Sequence, residues 1–201
     1  MNTRASGNIE ISNIFAFGNV TIVNGAAPDR IAPRIGWHSQ SRIMVDGEPD
    51  LFNALQWRYA LTPEMVGRDQ ENQSILDWAE DGENTISLRL LTGGGGSGKT
   101  RLAAEVAKHL QTGGEWSVGF LPRRADHAVT FHTQLKPFLL IIDYPEERPD
   151  VVEDLARAIS DISDGLAEFP VRILLVSRRP YHDWAETLRF LGHRYGRQEL
   201  A

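Results

Sequence analysis

The feature that most constrains the fold is a glycine-rich run between an apolar segment and an amphipathic one. Residues 93–100 read Gly-Gly-Gly-Gly-Ser-Gly-Lys-Thr, and the order Gly, four residues, Gly-Lys-Thr is the Walker A pattern of a phosphate-binding loop. Residues 85–91 before it are β-prone, and residues 99–111 after it carry apolar side chains at helical spacing. The predicted nucleotide-binding residues are Gly93, Gly94, Gly95, Gly96, Ser97, Gly98, Lys99 and Thr100.

Each residue type in this loop has a physical task. Glycine backbones can turn successive N–H groups toward one point, where they form a concave nest for phosphate oxygens. The start of the following helix adds its positive dipole end. Lys99 is predicted to reach the β- and γ-phosphates, and the Thr100 hydroxyl to ligate Mg²⁺. The predicted ligands are therefore a nucleoside triphosphate, in the first place ATP, and Mg²⁺.

A competing pattern overlaps the loop, because Gly93, Gly95 and Gly98 also match the dinucleotide fingerprint Gly-x-Gly-x-x-Gly. That fold expects an acidic residue at the end of its second strand, to hold the ribose. The second predicted strand, residues 116–121, is followed by Pro-Arg-Arg, and the Lys-Thr pair would have no task. The triphosphate interpretation is therefore preferred to the dinucleotide one, and a flexible glycine linker is the non-functional alternative.

A second metal-binding group is predicted from the apolar run at residues 138–142, which ends in Asp143. An uninterrupted apolar run is typical of a strand buried on both faces of a parallel sheet. A carboxylate at the end of such a strand matches the Walker B element, which holds hydrated magnesium. Asp143 is predicted to share the metal with Thr100; an ordinary turn residue is the alternative.

Further candidates lie near the predicted position of the terminal phosphate. Many P-loop ATPases place Glu directly after the Walker B Asp, where this chain has Tyr144. Glu146 is predicted to orient the attacking water, with a solvated turn carboxylate as the alternative. Ser177 and Arg178 follow the predicted strand 171–176 and are expected to touch the γ-phosphate, with surface arginines as the alternative. The predicted catalytic set is Lys99, Asp143, Glu146, Ser177 and Arg178.

The remaining pattern alternates strands and helices after residue 84. Strands are predicted at 85–91, 116–121, 138–142 and 171–176, and helices at 69–79, 99–111, 125–135, 151–166 and 181–190. Such alternation predicts an α/β fold, with a parallel sheet covered on both faces. Residues 61–201 are accordingly predicted to form a three-layer α/β/α P-loop NTPase core.

The N-terminal segment, residues 1–25, contains a short internal repeat in which residues 7–13 recur as 18–24. Each copy alternates apolar and polar residues, which predicts a β-hairpin-like pair of strands. The hairpin is expected either to pack on its own domain or to expose an edge that recruits another chain. Residues 26–60 are predicted to be a linker with a short helix at 50–59.

Composition excludes several function classes. The 27 acidic and 21 basic residues give a net charge of -6, which argues against a nucleic-acid-binding surface. The chain has no Cys, so disulfides and thiol chemistry are excluded. Its longest apolar run is too short to cross a bilayer, and the N-terminus lacks the apolar segment of a secretory signal peptide. A cytoplasmic protein without membrane contact is the expectation.

With these motifs in place, the chain resembles the STAND branch of the AAA+-related P-loop ATPases, signalling NTPases that include NACHT-type proteins. It looks most like the ATP-binding modules of large bacterial regulatory or defence proteins. The resemblance covers roughly residues 60–190. It is carried by Met-Val-Gly-Arg-Asp at 65–69, Gly-Gly-Ser-Gly-Lys-Thr-Arg-Leu-Ala at 95–103, Ile-Ile-Asp-Tyr at 141–144 and Leu-Leu-Val-Ser-Arg-Arg at 174–179.

The resemblance implies a switch between an ADP-bound closed state and an ATP-bound open state that oligomerises. It places Val66, Gly67 and Arg68 beside the adenine and ribose, and Ser177 with Arg178 in the sensor-1 position. A homo-oligomer or an effector partner chain is the implied assembly. An N-terminal effector and C-terminal repeats usually flank such a module.

The chain departs from the family pattern in three respects. The Glu after Asp143 is missing, so slow or impaired hydrolysis is expected. Few residues follow Arg179, so the fifth core strand, the helical lid and the winged-helix segment are expected to be absent. No enzymatic effector precedes residue 60. The sequence therefore predicts a nucleotide-binding core that is cut short.

Three functions remain as hypotheses. The first is an ATP-dependent regulatory switch with slow hydrolysis. The second is a non-hydrolysing nucleotide-binding scaffold that assembles through its N-terminal strands. The third is a small P-loop kinase, for which the basic residues that could form a lid are Arg123, Arg124, Arg178 and Arg179.

Overall fold

The computed structural model of the protein describes residues 11–17, 20–25, 44–45, 48–49, 65–121, 129–132, 135–161 and 167–200. Strands in these ranges are β1 (Ile11–Phe17), β2 (Val20–Gly25), β3 (Met44–Val45), β4 (Glu48–Pro49), β5 (Ile86–Gly93), β6 (Ser117–Phe120), β7 (Val129–His132), β8 (Phe138–Asp143), β9 (Val171–Val176) and β10 (Tyr195–Leu200). The α-helices are α1 (Asp69–Glu80), α2 (Lys99–Thr112), α3 (Pro149–Asp161) and α4 (Ala185–Leu188). Short 3-10 helices span Pro145–Glu147, Tyr181–Asp183 and Arg189–Arg194.

Five parallel strands form the central sheet, in the order β10-β5-β9-β8-β6. The predicted α/β fold with a parallel sheet is therefore confirmed. β9 lies between β5 and β8, and its Val176 is in register with both Leu91 and Asp143. The carboxyl ends of these three strands consequently lie next to each other, at the same end of the parallel sheet.

Helices cover both faces of this sheet, because successive side chains of each strand point to opposite sides. Leu139 of β8 packs in one apolar layer with Ile75 of α1 and Leu102 of α2. Its neighbour Leu140 packs in the other layer with Leu155 of α3. Each fully buried leucine contributes roughly 1.5–3 kcal/mol to the stability of the fold. The strands are thus fixed from both sides.

A buried arginine ties α1 to the sheet. Arg172 lies in the middle of the sheet on β9 and is 0% exposed. Its Nε donates to the carbonyl oxygens of Trp78 at 3.2 Å and Ala79 at 3.0 Å, and its Nη1 donates to that of Asn84 at 2.9 Å. Burial lowers the pKa of Arg172 to about 10, so the guanidinium is still charged at neutral pH. Because the carbonyl oxygens of Trp78 and Ala79 lie in the last turn of α1, the guanidinium faces the negative end of the α1 dipole.

The expectation that a fifth core strand is absent was wrong. β10 pairs in parallel with β5 and forms an edge of the sheet. The predicted helix at 181–190 is replaced by a 3-10 turn, the one-turn helix α4 and a second 3-10 segment. Gly192, at φ 52 and ψ -125, breaks this second segment.

The predicted helix at 125–135 was also wrong in its described part. Residues 129–132 form β7, which pairs in parallel with β2. This run, Val-Thr-Phe-His, includes β-branched and aromatic residues that suit a strand, and the edge of β2 supplies its hydrogen bonds. Residues 122–128 and 133–134 lie outside the described ranges, as do residues 162–166 of the helix predicted at 151–166.

Residues 11–25 contain the predicted hairpin. β1 and β2 are antiparallel, and Phe17 is in register with Val20. Val20 and Ile22 of β2 are buried in the same apolar layer as β8 and α3, so β2 packs on the core of its own chain. β1 forms the outer strand of this small sheet, and its Ile14 is 61% exposed.

The predicted linker contains two very short strands, β3 and β4, which pair with each other. The short helix predicted at 50–59 lies outside the described residues. Of the helices that the structure describes, none has both the length and the apolar character that a bilayer crossing would require.

Candidate functional site

The candidate site lies where the carboxyl ends of β5, β9 and β8 come together. The loop at residues 93–100 leaves β5, Ser177 and Arg178 follow β9, and residues 143–146 follow β8. In parallel α/β sheets, ligands bind at this end of the strands. The sheet order therefore brings together three segments that are far apart in the sequence.

The loop enters α2 through Gly98, whose φ of 88 is a left-handed conformation that favours glycine. α2 begins at Lys99, so the first backbone N–H groups of a 14-residue helix face the loop. The exposed residues Gly94, Gly95 and Gly96 form the rim, and a Cβ at any of them would meet nothing within 4 Å. The loop is thus an open backbone surface at a positive helix end.

Gly93 allows a close contact between the loop and the edge strand β10. Its φ is 149, and a Cβ there would lie 2.6 Å from the carbonyl oxygen of Leu200. The same Cβ would lie 3.0 Å from Ser97 Oγ. Glycine is therefore required at this position for packing as well as for backbone geometry.

Lys99 is buried, and its ammonium lies within the curve of the loop. Nζ donates to the carbonyl oxygens of Gly93 and Gly94, both at 2.7 Å, and to Ser97 Oγ at 3.3 Å. Burial lowers the pKa of Lys99, and the positive charge of Arg178 lowers it further. The carboxylates of Glu146 and Asp143 act in the opposite direction. These four charged groups are therefore close enough to interact.

Thr100 and Asp143 are brought into contact, as the metal-site prediction requires. The Thr100 hydroxyl lies 3.2 Å from Asp143 Oδ1 and 3.3 Å from Oδ2. Hydroxyl and carboxylate oxygens are the hard donors that Mg²⁺ takes. The described ranges contain no group of three or more His, Cys, Asp or Glu that could hold a metal. Mg²⁺ fits this donor pair, since it commonly completes its shell with phosphate oxygens and water.

The hydroxyl of Ser177 is fully buried and connects three elements. It donates to Glu146 Oε2 at 3.1 Å and accepts from the backbone N–H of Arg179 at 2.9 Å. It also accepts from the indole N–H of Trp184 at 3.1 Å. One donated and two accepted bonds use the whole capacity of a serine hydroxyl. The orientation of Ser177 is therefore fixed.

Glu146 is held by the end of the neighbouring strand. Its Oε1 accepts from the backbone N–H of Arg178 at 3.2 Å, while its Oε2 is bound by Ser177. The side chain is half-buried, so Glu146 is not a freely solvated turn carboxylate. The structure thus brings the predicted water-orienting residue to the site, and its catalytic role stays a prediction.

Tyr144 is a site residue whose role the sequence did not indicate, beyond its occupying the usual place of a glutamate. Its φ of 59 and ψ of 56 are left-handed, which costs a bulky residue roughly 1–2 kcal/mol. Arg178 Nη2 donates to the Tyr144 hydroxyl at 2.6 Å, and the guanidinium carbon lies 4.7 Å from the ring centroid. Pro145 after it predicts an extended backbone at Tyr144, so no local signal in the sequence indicated the left-handed conformation.

Arg68, which the resemblance places beside the base, pairs with Glu71 at 2.6 Å at the start of α1. The preceding residues lie near the loop, since Met65 Cε is 3.2 Å from where a Cβ at Gly98 would be. Val66 is 91% exposed. The structure therefore gathers Lys99, Thr100, Asp143, Glu146, Ser177 and Arg178 in one place, with Arg68 on a neighbouring segment.

No protein-family model matches the chain, and no curated protein matches it. Among solved structures, the chain is similar to a chain of the E. coli MS115-1 HORMA:CdnC:Trip13 complex, with 16% identity and a TM-score of 0.39. The match covers 68% of this chain and 63% of that one, so this chain spans less than two thirds of its length.

The contact at Gly93 predicts a difference between two loop glycines. Gly93→Ala should lower the free energy of unfolding by about 1–3 kcal/mol, because the new methyl group overlaps the backbone of Leu200. Gly94→Ala has open space around its Cβ and should stay within about 0.5 kcal/mol of the parent. Urea unfolding followed by circular dichroism measures both. Equal stability of the two variants would contradict this packing.

Proposed function

We propose that the chain binds a nucleoside triphosphate with Mg²⁺, in the first place ATP, and acts as a nucleotide-dependent switch with slow hydrolysis. The observation that carries the proposal is the contact between Thr100 and Asp143, 3.2 Å apart, beside the buried Lys99. A hydroxyl, a carboxylate and an ammonium around a glycine loop at a helix N-terminus are the groups that a magnesium–triphosphate complex needs.

The loop supplies the binding of the phosphates. Backbone N–H groups of residues 94–100 and the first turn of α2 offer donors and positive potential to phosphate oxygens. Lys99 adds a full positive charge that burial protects from screening by salt. Thr100 and Asp143 would hold Mg²⁺, which when bound neutralises charge on the phosphates.

The end of β9 supplies contacts for the terminal phosphate. Arg178 follows β9 and Lys99 lies in the loop after the neighbouring strand β5, so two positive charges lie at the same end of the sheet. An anion placed between two such charges relieves their repulsion. The position supports a contact of Arg178 with the γ-phosphate, which an ADP-bound state would lack.

Slow hydrolysis follows from how Glu146 is held. Its carboxylate is one turn beyond Asp143 and is bonded to Ser177 and to the backbone of Arg178. It can orient a water beside the terminal phosphate, but both carboxylate oxygens already accept a hydrogen bond from the end of β9, which limits how the side chain can turn toward that water. A rate well below that of an ATPase with a free glutamate at this place is therefore proposed.

Switching is supported by the hydrogen bonds that leave the site. Ser177 joins Glu146 to Trp184, which is buried at the start of the broken helical segment before β10. A change at the terminal phosphate would therefore act on a segment with few regular helical turns. A STAND-type switch, with an effector or a second copy as partner, is the class of protein that this arrangement favours.

A non-hydrolysing scaffold is the second candidate. The specific observation in its favour is Tyr144, which occupies the place of the usual glutamate and is bonded to Arg178. In that case nucleotide binding would order the site without turnover, and assembly would use β1, the outer strand of its small sheet, whose Ile14 is exposed.

Nucleotide binding is expected to depend on Lys99. Lys99→Ala should weaken magnesium-dependent ATP binding by about 30-fold or more, because a buried charge partner of the phosphates is lost. Lys108→Ala, an exposed lysine on the same helix, is the matched control and should bind like the parent. Titration with a fluorescent ATP analogue, with and without EDTA, measures both. Equal binding by the two variants would refute the proposed site.

Turnover is expected to depend on Glu146 and not on its neighbour. Glu146→Gln keeps a hydrogen-bond acceptor for Ser177 but cannot take up a proton, so the rate of phosphate release should fall about 100-fold. ATP affinity should change little. Glu147→Gln, exposed in the same 3-10 turn, is the control and should keep the parent rate. Absence of phosphate release from the parent protein would favour the scaffold.

A further inference from the structure

Tyr144 and Arg178 form a pair at the ends of two neighbouring strands. Asp143 of β8 is in register with Val176 of β9, so the residues that follow them leave the sheet side by side. Arg178 Nη2 donates to the Tyr144 hydroxyl at 2.6 Å while its guanidinium carbon lies 4.7 Å from the ring centroid. One aromatic side chain thus contacts the guanidinium through both its hydroxyl and its face.

The backbone fixes the tyrosine in this position. Its N–H donates to the carbonyl of Val176 at 3.1 Å, and its carbonyl accepts from the N–H of Glu147 at 3.0 Å. These two bonds hold the left-handed conformation that directs the ring toward Arg178. A strained residue that its surroundings over-determine is a common feature of binding sites.

The arginine needs such a support. Arg178 is exposed, and a free arginine side chain loses considerable rotamer entropy when it binds an anion. Its backbone N–H is held by Glu146, but the long side chain beyond it is fixed by Tyr144. Restricting the side chain before the ligand arrives lowers the entropic cost of binding. Arg178 also follows β9, the strand that pairs with β5, and the loop after β5 carries Lys99.

We propose that Tyr144 is a positioning residue that holds the guanidinium of Arg178 for the terminal phosphate, so that the chain distinguishes a nucleoside triphosphate from a diphosphate. This inference rests on the proposed function, because it assumes that the phosphates lie in the glycine loop. Tyr144 acts through Arg178 and need not contact the nucleotide itself. Its effect should therefore appear in the ratio of ATP to ADP affinity, since only ATP carries the γ-phosphate.

The test compares magnesium-dependent dissociation constants for ATP and ADP in five proteins: the parent, Tyr144→Phe, Tyr144→Leu, Arg178→Gln and the double variant of Tyr144→Phe with Arg178→Gln. Tyr144→Phe keeps the ring but removes the hydroxyl, so ATP affinity should fall about three- to tenfold. ADP affinity should stay within about twofold of the parent value. Tyr144→Leu removes the aromatic face as well and should lose more of the ATP preference. Circular dichroism checks that each variant is folded.

The double variant separates positioning from a general loss of stability. With Arg178 already replaced by Gln, Tyr144→Phe should cause no further loss of ATP affinity, because the group it positions is gone. The proposal is overturned if Tyr144→Phe lowers the affinities for ATP and ADP equally or leaves both affinities unchanged. It is also overturned if Tyr144→Phe lowers ATP affinity as much in the Arg178→Gln protein as in the parent. If the parent binds neither nucleotide, the proposed function fails and this inference fails with it. If the parent prefers ATP but Tyr144→Phe does not alter that preference, only the role of Tyr144 fails.

Discussion

The position of β9 between β5 and β8 is the constraint on which the site depends. Parallel pairing in register places Leu91, Val176 and Asp143 side by side. The three segments that follow them therefore leave the sheet next to each other, at its carboxyl end. The glycine loop, the Ser177 hydroxyl and the carboxylates after β8 thereby meet without any long excursion of the chain. Arg172 joins the same strand to the carbonyl oxygens at the end of α1.

Two features of the site have a cost that the surrounding fold offsets. Tyr144 has a left-handed backbone conformation. Position 93 must be glycine, because a Cβ there would overlap the backbone of β10. Both lie directly at strand ends, where parallel strands on either side hold them. Local rules of sequence are often broken at functional sites, and these two departures occur at the candidate site.

The sequence predicted the features that lie within short contiguous stretches. Local patterns of neighbouring residues are enough to predict the loop, the start of the following helix and the position of Asp143 at a strand end. β10 was missed because its strand character depends on the free edge of β5, which no local pattern reveals. β7 was missed because a β-prone run of four residues is too short to be assigned without its partner β2. Arg172 was passed over because its partners are backbone carbonyls from α1 and the turn after it. The role of Tyr144 likewise depends on Arg178, a partner from another strand.

The most direct test of nucleotide binding is amide hydrogen exchange of the whole chain, measured with and without MgATP. If backbone amides grip the phosphates, exchange at residues 94–100 should slow on addition of MgATP, together with exchange after Asp143. Addition of Mg²⁺ alone should leave those amides unchanged. Unaltered exchange across residues 94–100 at saturating MgATP would contradict the proposal that this loop is the nucleotide site.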